Sequence, residues 1–440
     1  MEHALLIGLG GLAALIFLIA VRIPIAYSMI LVGAVGTMVL NGPAITLSQL
    51  KTLGFSQFSK YDLSVIPMFV LMGYVATQVG LSKDLFRAAN AWFGRLRGGV
   101  AMSAIAACAG FGAVCGSSLA TATTMGQVAL PELRRYKYSG TLATGTLAAG
   151  GVLGILIPPS VVLVVYAIIV EANIVTMFEA ALVPGLIAVA FFIVAIAVTV
   201  RIFPNAGPAG NPVPREEFIA ATLGVMPVLA IFALVIGGIY AGFYNPTPAG
   251  AIGVFLVMLY GFARRLIGVK EMKWALFETA KTSGMIYLIL LGAELLKIFM
   301  SRGGVPQAAA EMMANSGLSP TVILILLLFA LIVLGCLMDS LSMILLTMPF
   351  FWPVIVGLDF GMPENDLKTW FGILTLIVVE LGLITPPVGM NVFVISALAK
   401  DVPMRDTFIG TIPFFIAEII RVSLLVAVPG LVLWLPHLLH

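Results

Sequence analysis

The chain has 440 residues, of which 61% are hydrophobic and only 10% charged, and its mean hydropathy is +1.13. So few polar groups cannot cover a water-soluble globule, which places the chain in a membrane. Its net charge of +3 is scattered along the sequence rather than gathered in a basic patch, which argues against a nucleic-acid partner.

The side chains needed for most enzyme chemistry are scarce. His3, His437 and His440 all lie at the ends, so imidazole-activated nucleophiles, haem ligation and zinc sites are poorly supplied. Cys108, Cys115 and Cys336 sit inside apolar runs and form neither a disulfide framework nor a metal-binding cluster. Forty-five glycines and 25 prolines point instead to many broken or closely packed helices.

A membrane helix needs about 20 mostly apolar residues. Residues 3–20, 24–40 and 64–80 form the first three such stretches, and Arg22 and Pro24 follow the first without a small-residue cleavage site, so it reads as a retained span. Residues 82–97 (SKDLFRAANAWFGRLR) mix charge with Trp and Phe at helical spacing, as helices lying in the interface do. Residues 99–131 are apolar but interrupted by GSSLAT, and are expected to form a re-entrant hairpin whose tip stops inside the membrane. Spans at 141–170 and 176–203 complete the first half; the former is broken by Pro158-Pro159. The Pro/Gly-rich polar stretch 205–218 reads as a linker.

The second half runs in the same order. Spans at 219–243 and 247–264 precede an interfacial segment at 270–282 (KEMKWALFETAKT) and a span at 284–300. A second hairpin at 320–357, interrupted by MDSLS, precedes a span at 369–399 broken by Pro386-Pro387 and a last span at 407–434. The expected fold class is therefore an all-α polytopic membrane protein with about ten spans, two re-entrant hairpins and two Pro-Pro-broken helices. Five crossings per half is an odd number, so the halves 1–204 and 219–440 form an inverted-topology repeat. LGILIPPS (153–160) and LGLITPPV (381–388) carry the repeat best, and at an offset of 223 Gly112 meets Gly335 and Ser117 meets Ser340. With both hairpins treated as non-crossing, 17 of the 23 Lys and Arg fall on one side of the membrane. Lys51, Lys60, Arg302 and Lys368 fall on the other, and Lys297 and Arg421 lie inside spans. The crowded side is cytoplasmic by the positive-inside bias, and both termini are then periplasmic.

Two consecutive prolines unwind a helix, leaving free carbonyls and half-helix ends at depth. Such ends are where cations meet backbone oxygens and anionic groups meet positive helix N-termini. Ser117, Ser118 and Thr121 sit at the first break, where hydroxyl and carbonyl oxygens suit Na⁺, while Thr123 and Thr124 read as small residues that let helices pack closely. Asp339, with Ser340 and Ser342, sits at the second tip; it is either a functional acid at depth or the cap of the half-helix that follows. Thr385, Pro386, Gly389 and Asn391 surround the second Pro-Pro pair, and Ser160 follows the first. Glu294 with Lys297, and Glu418 with Arg421, are spaced to neutralise one another on a helix face, whereas Glu380 has no local partner.

The stretch GAVCGSSLATATTMGQVALPELRRYKYSGTLATGTLAAGGVLGILIPPS (112–160) resembles the signature region of the large (DctM-type) membrane subunit of tripartite ATP-independent periplasmic (TRAP) transporters. The second hairpin, the TPP break, the length and the repeat plan extend the resemblance over essentially the whole chain. It implies an elevator-type secondary transporter of the bacterial inner membrane, importing a small organic anion with Na⁺ as coupling ion and no organic cofactor. The partners implied are a periplasmic substrate-binding protein and a small four-helix membrane subunit on a separate chain. By position, Ser117, Ser118 and Thr121 with the backbone of Gly154 to Pro158 would form one sodium site, and Asp339, Ser340, Thr385, Pro386 and Gly389 the other. Gly116, Ser117, Ser160, Ser342 and Asn391 would contact substrate between the tips.

Three other readings compete. A stand-alone sodium- or proton-coupled carboxylate symporter would share the repeat plan but need no binding protein. An intramembrane hydrolase using Ser117 or Asp339 lacks a membrane-embedded histidine or an obvious second aspartate. A passive channel lacks a repeated ring of pore-lining charge.

Overall fold

The computed structural model describes residues 2–314 and 316–440. Among these residues the chain is helical throughout, with one isolated antiparallel bridge between Arg97 and Ala209. The first half contains α1 (Glu2–Ala20), α2 (Ile25–Asn41), α3 (Pro43–Phe58), α4 (Val65–Val79), α5 (Leu81–Phe93), α6 (Gly99–Cys115), α7 (Ser118–Arg135), α8 (Gly140–Leu156), α9 (Val161–Val170) and α10 (Ile174–Ile202). The second contains α11 (Arg215–Tyr240), α12 (Pro246–Ala263), α13 (Val269–Gly303), α14 (Val305–Ala314), α15 (Pro320–Gly335), α16 (Ser340–Val356), α17 (Glu364–Gly382), α18 (Met390–Leu398), α19 (Met404–Ala427) and α20 (Gly430–Leu439).

Among the described residues, seven helices are long and apolar enough to cross a membrane, or eight if α8 and α9, bent by 47° at their break, count as one span. The ten expected stretches differ from this for local reasons. α2 is only 17 residues long, ended by Gly42 and restarted at Pro43, and the stretch 369–399 divides into α17 of 19 residues and α18 of nine. The stretch 407–434 divides too, because α19 stops at Ala427 just before Pro429. The separate interfacial segment expected at 270–282 does not exist as such: it is the first part of the 35-residue α13. No proline interrupts 269–303, and Gly284 alone does not stop a helix so rich in good helix formers. In the first half the corresponding break is real, since Ser59, Lys60 and a 3₁₀ turn at Tyr61–Ser64 separate α3 from α4.

Both hairpins form. α6 and α7 reverse at Gly116-Ser117, with α7 carrying Pro131 internally and running on to Arg135; α15 and α16 reverse over residues 336–339. The helices behind the tips are the most enclosed in the molecule, since α8 is buried from Leu142 to Leu156 and α17 from Thr369 to Gly382. α6 meets α8 where a Cβ on Gly112 would lie 2.5 Å from Gly154 Cα, so the approach demands glycine. Outward-facing side chains such as Phe17, Phe55, Phe243 and Phe329 are apolar, a surface that water penalises and hydrocarbon accepts.

α5 stands alone as the amphipathic helix expected at 82–97, with Leu81, Leu85 and Phe86 buried against α6. Burial raises the Asp84 carboxyl on this helix above the usual carboxylate range, against the opposing pull of Arg264 and Arg87. The linker is strapped down: Gly98 N–H donates to Gly207 O (3.0 Å), Gly210 N–H to Gly94 O (2.9 Å) and Ser139 N–H to Ala206 O (2.9 Å). Tyr138 completes the strap, accepting from Val100 N–H (3.2 Å) and donating to Pro208 O (2.9 Å). Burial pushes its phenol up to about 12, so it stays a donor across physiological pH.

Of the two charge pairs expected on helix faces, one forms. Glu418 and Arg421 are fully buried, with Arg421 Nε donating to Glu418 Oε2 (2.9 Å) and Nη1 to Pro184 O (2.9 Å). Glu294 and Lys297 make no ion pair among the described residues; Lys297 points outward and is exposed.

Candidate substrate and cation site

The two tips are built alike. At the first, Gly116 turns the chain in the left-handed region (φ 63°), and Ser117 becomes extended and caps α7, its hydroxyl accepting from Ala120 N–H (3.4 Å). At the second, Asp339 is extended and caps α16, with Oδ2 accepting from Ser342 N–H (3.0 Å). Of the two roles open to Asp339, the cap is thus the one observed, and the cap does not remove it from the cavity. Each cap relieves one orphan N–H; the neutral Ser117 leaves the positive end of a helix dipole at the first tip, whereas the Asp339 carboxylate offsets it at the second.

Both tips open into one cavity of about 350 Å³, lined by Gly116, Ser117, Ser118, Asp339 and Ser340 on one side. The opposite wall comes from α4 and α13 through Gly73, Tyr74, Thr282 and Ile286. Tyr74 and Thr282 share a hydrogen bond there (2.8 Å). The cavity is mainly apolar with a few convergent polar groups and has the size of a small-molecule site.

Behind the first tip, Thr121, Gly154, Pro158 and Ser160 are buried outside the cavity wall. Thr121 Oγ1 is buried with no hydrogen-bond partner, and a Cβ on Gly154 would lie 2.4 Å from it and 2.7 Å from Ser117 O. Neutral hydroxyl and carbonyl oxygens thus gather around Gly154, a donor set that fits Na⁺. Ser160 caps α9 through Leu163 N–H (3.4 Å), and its Cα lies close to Gly116, so the first break and the first tip are in contact.

The second set is less gathered. Thr385 and Pro386 line a different cleft, with Phe408 and Thr411 of α19, and Thr385 Oγ1 is spent on Leu381 O (2.6 Å). Gly389 turns left-handed (φ 58°) beside Phe408. Ser342 is buried one turn behind Asp339, outside the cavity wall. Asn391 also lies away from the cavity: its amide donates to Ala148 O (3.3 Å) on α8, its Oδ1 is buried without a partner, and Gly151 of the first half is adjacent. The structure therefore groups Asn391 with first-half oxygens.

Two features were not legible in the sequence. Tyr74, Gly73 and Thr282 lie in ordinary apolar or amphipathic helices, and only a tyrosine on a membrane helix gives a faint polar signal. Glu380, without a local partner, accepts a hydrogen bond from the Ser340 hydroxyl at the second tip, 40 residues away.

A family model described as "Tripartite ATP-independent periplasmic transporter, DctM component" matches residues 12–431. The C4-dicarboxylate TRAP transporter large permease protein DctM of Pseudomonas aeruginosa is 33% identical over 384 residues, covering 87% of this chain and 88% of that protein. The sialic acid TRAP transporter large permease protein SiaM of Vibrio cholerae is 27% identical over 433 residues, covering 98% of each. Among solved structures, the YdaH transporter of Alcanivorax borkumensis superposes with a TM-score of 0.62 over 88% of this chain and 89% of that one, at 12% identity, a likeness of fold.

Proposed function

Since the chain belongs to the DctM component family of tripartite ATP-independent periplasmic transporters, we propose that it imports a small organic acid, coupled to Na⁺, from a periplasmic binding protein. A separate four-helix membrane subunit braces it in the bacterial inner membrane, with both termini in the periplasm. The relatives named for C4-dicarboxylate and sialic acid transport both act on carboxylates, which supports an organic anion as the substrate class.

The observation that carries this reading is the single cavity where the two capped tips face α4 and α13. The helix N-terminus at Ser117 offers a positive dipole end and free N–H groups to a carboxylate, while the apolar wall excludes water. The cap hydrogen bonds hold the tips in fixed geometry, and Tyr74 with Thr282 supplies hydroxyls from the opposite side. The Ser117 carbonyl and Thr121 hydroxyl would hold one sodium ion, whose charge supports the bound anion. In an elevator cycle the hairpins with α8, α9, α17 and α18 move as a body against a scaffold containing α2, α4, α12 and α13. An inverted repeat relates the halves; the glycine contact of Gly335 with Gly382, where a Cβ on Gly382 would meet Gly335 Cα at 2.6 Å, parallels that of Gly112 with Gly154.

The test is uptake of labelled carboxylates into proteoliposomes holding the chain and its small-subunit partner, with sodium gradient and binding protein each present or absent. Uptake only with both is expected. Sodium-driven uptake indifferent to the binding protein would move the chain to the stand-alone symporters, and uptake unaffected by sodium would remove the coupling ion.

A further inference from the structure

We infer that Glu380 is the charged ligand of a monovalent-cation site lying between the two hairpin tips. The inference rests on the sodium reading above and deepens it by naming where the balancing negative charge resides.

Glu380 is fully buried on α17, directly behind the second tip. Its Oε1 accepts from the Ser340 hydroxyl, and the Ser118 hydroxyl of the first tip faces the same carboxylate, so both tips converge on one side chain. Its Oε2 is buried with no hydrogen-bond partner. Leaving a charged carboxylate in that condition is costly, and either a proton or a bound cation relieves the cost.

The described side chains do not supply a cation. Arg421, the buried guanidinium nearby, is committed to Glu418 and to Pro184 O, and Glu380 takes part in no ion pair among the described residues. Glu418 and Asp339 both lie close enough to add negative charge to the neighbourhood of Glu380. Asp339, Glu380 and Glu418 outnumber the single Arg421, an excess of acid that draws a monovalent cation to the cluster. The oxygens at hand, a carboxylate and two serine hydroxyls, are hard donors of the kind Na⁺ accepts. A cation held there ties Ser118 of the first tip to Ser340 of the second, so occupancy and closure of the tips around substrate are coupled through one residue.

The experiment follows thermal unfolding of the purified full-length chain in detergent, titrated with NaCl against choline chloride at constant ionic strength and without substrate. Binding to the folded state raises the transition with ln(1 + [Na⁺]/Kd), from which the half-saturating concentration is fitted as Kd. The wild type is expected to show a sodium-specific rise. In Glu380→Gln, which keeps the shape and the Ser340 contact but removes the charge, the half-saturating sodium concentration should increase at least tenfold. Glu380→Asp should retain a rise with a displaced half-saturation, and it decides the matter if the Gln variant does not fold. An unmoved half-saturation in the folded variants would mean that Glu380 carries a proton or plays a packing role, and would overturn the inference while leaving sodium coupling intact. A wild type indifferent to sodium would overturn the coupling reading itself, and the inference with it.

Discussion

At the scale of single residues, polar groups at depth separate into those whose bonds are satisfied and those left open. The Arg421 guanidinium is of the first kind, held by Glu418 Oε2 and the Pro184 carbonyl. Arg421→Met strands a buried carboxylate and should destabilise the protein by about 3–5 kcal/mol, visible as a lower unfolding temperature in detergent, whereas Arg421→Met with Glu418→Leu should recover most of the loss. Thr121 is of the second kind. Its hydroxyl has no partner, so Thr121→Val should leave stability within about 1 kcal/mol of wild type while raising the sodium concentration needed for half-maximal uptake. An unchanged sodium dependence in that variant would remove Thr121 from the cation site. The sequence showed that Ser117, Ser118 and Thr121 stand at a break, and the same-helix spacing suggested pairs at both Glu418–Arg421 and Glu294–Lys297, of which only the first forms. It could not show that Glu380 meets Ser340, because contacts across 40 residues leave no periodic trace.

At the scale of elements, the hairpins depend on caps and on close approaches. Asp339→Ala removes the acceptor for Ser342 N–H and should cost about 1 kcal/mol, while Asp339→Asn retains the cap and should preserve most of that stability in the same unfolding assay. Gly154→Ala forces a Cβ to within 2.4 Å of Thr121 Oγ1 and 2.7 Å of Ser117 O. Overpacking of this kind costs typically about 1–3 kcal/mol, and here it should also weaken sodium dependence, since the intruding methyl occupies the ring of oxygens. Hairpins, breaks and the α5 helix were legible because Gly, Ser and Pro interrupt otherwise apolar runs. The length of α13 was not, because Trp274 and its charged neighbours look the same whether the helix ends at 282 or continues into the next turn.

At the scale of the whole molecule, the elevator proposal requires the tips to slide past α4. A Cβ at Gly73 would lie 2.9 Å from Cys115 O, so Gly73→Val should wedge the first hairpin against the scaffold. The expected result is folded protein with a preserved sodium-dependent rise in unfolding temperature but little uptake; full uptake would show that this surface does not move. The strap from Tyr138 to Pro208 belongs to the same scale, since it ties the linker to the base of the first hairpin.

Composition by itself determined that the chain lives in hydrocarbon, because solvent choice follows from the sum of side-chain transfer energies and needs no contacts. Local sequence determined where helices start, break and reverse, because caps, prolines and glycines act within a turn or two. Only the tertiary structure decided which breaks share a cavity, that Thr385 and Pro386 face a different cleft, that Asn391 joins first-half oxygens, and that Glu380 meets Ser340 of the second tip. Those are distances between residues far apart in the chain, set by how helices pack, and an apolar sequence with interchangeable Leu, Ile and Val carries almost no record of them.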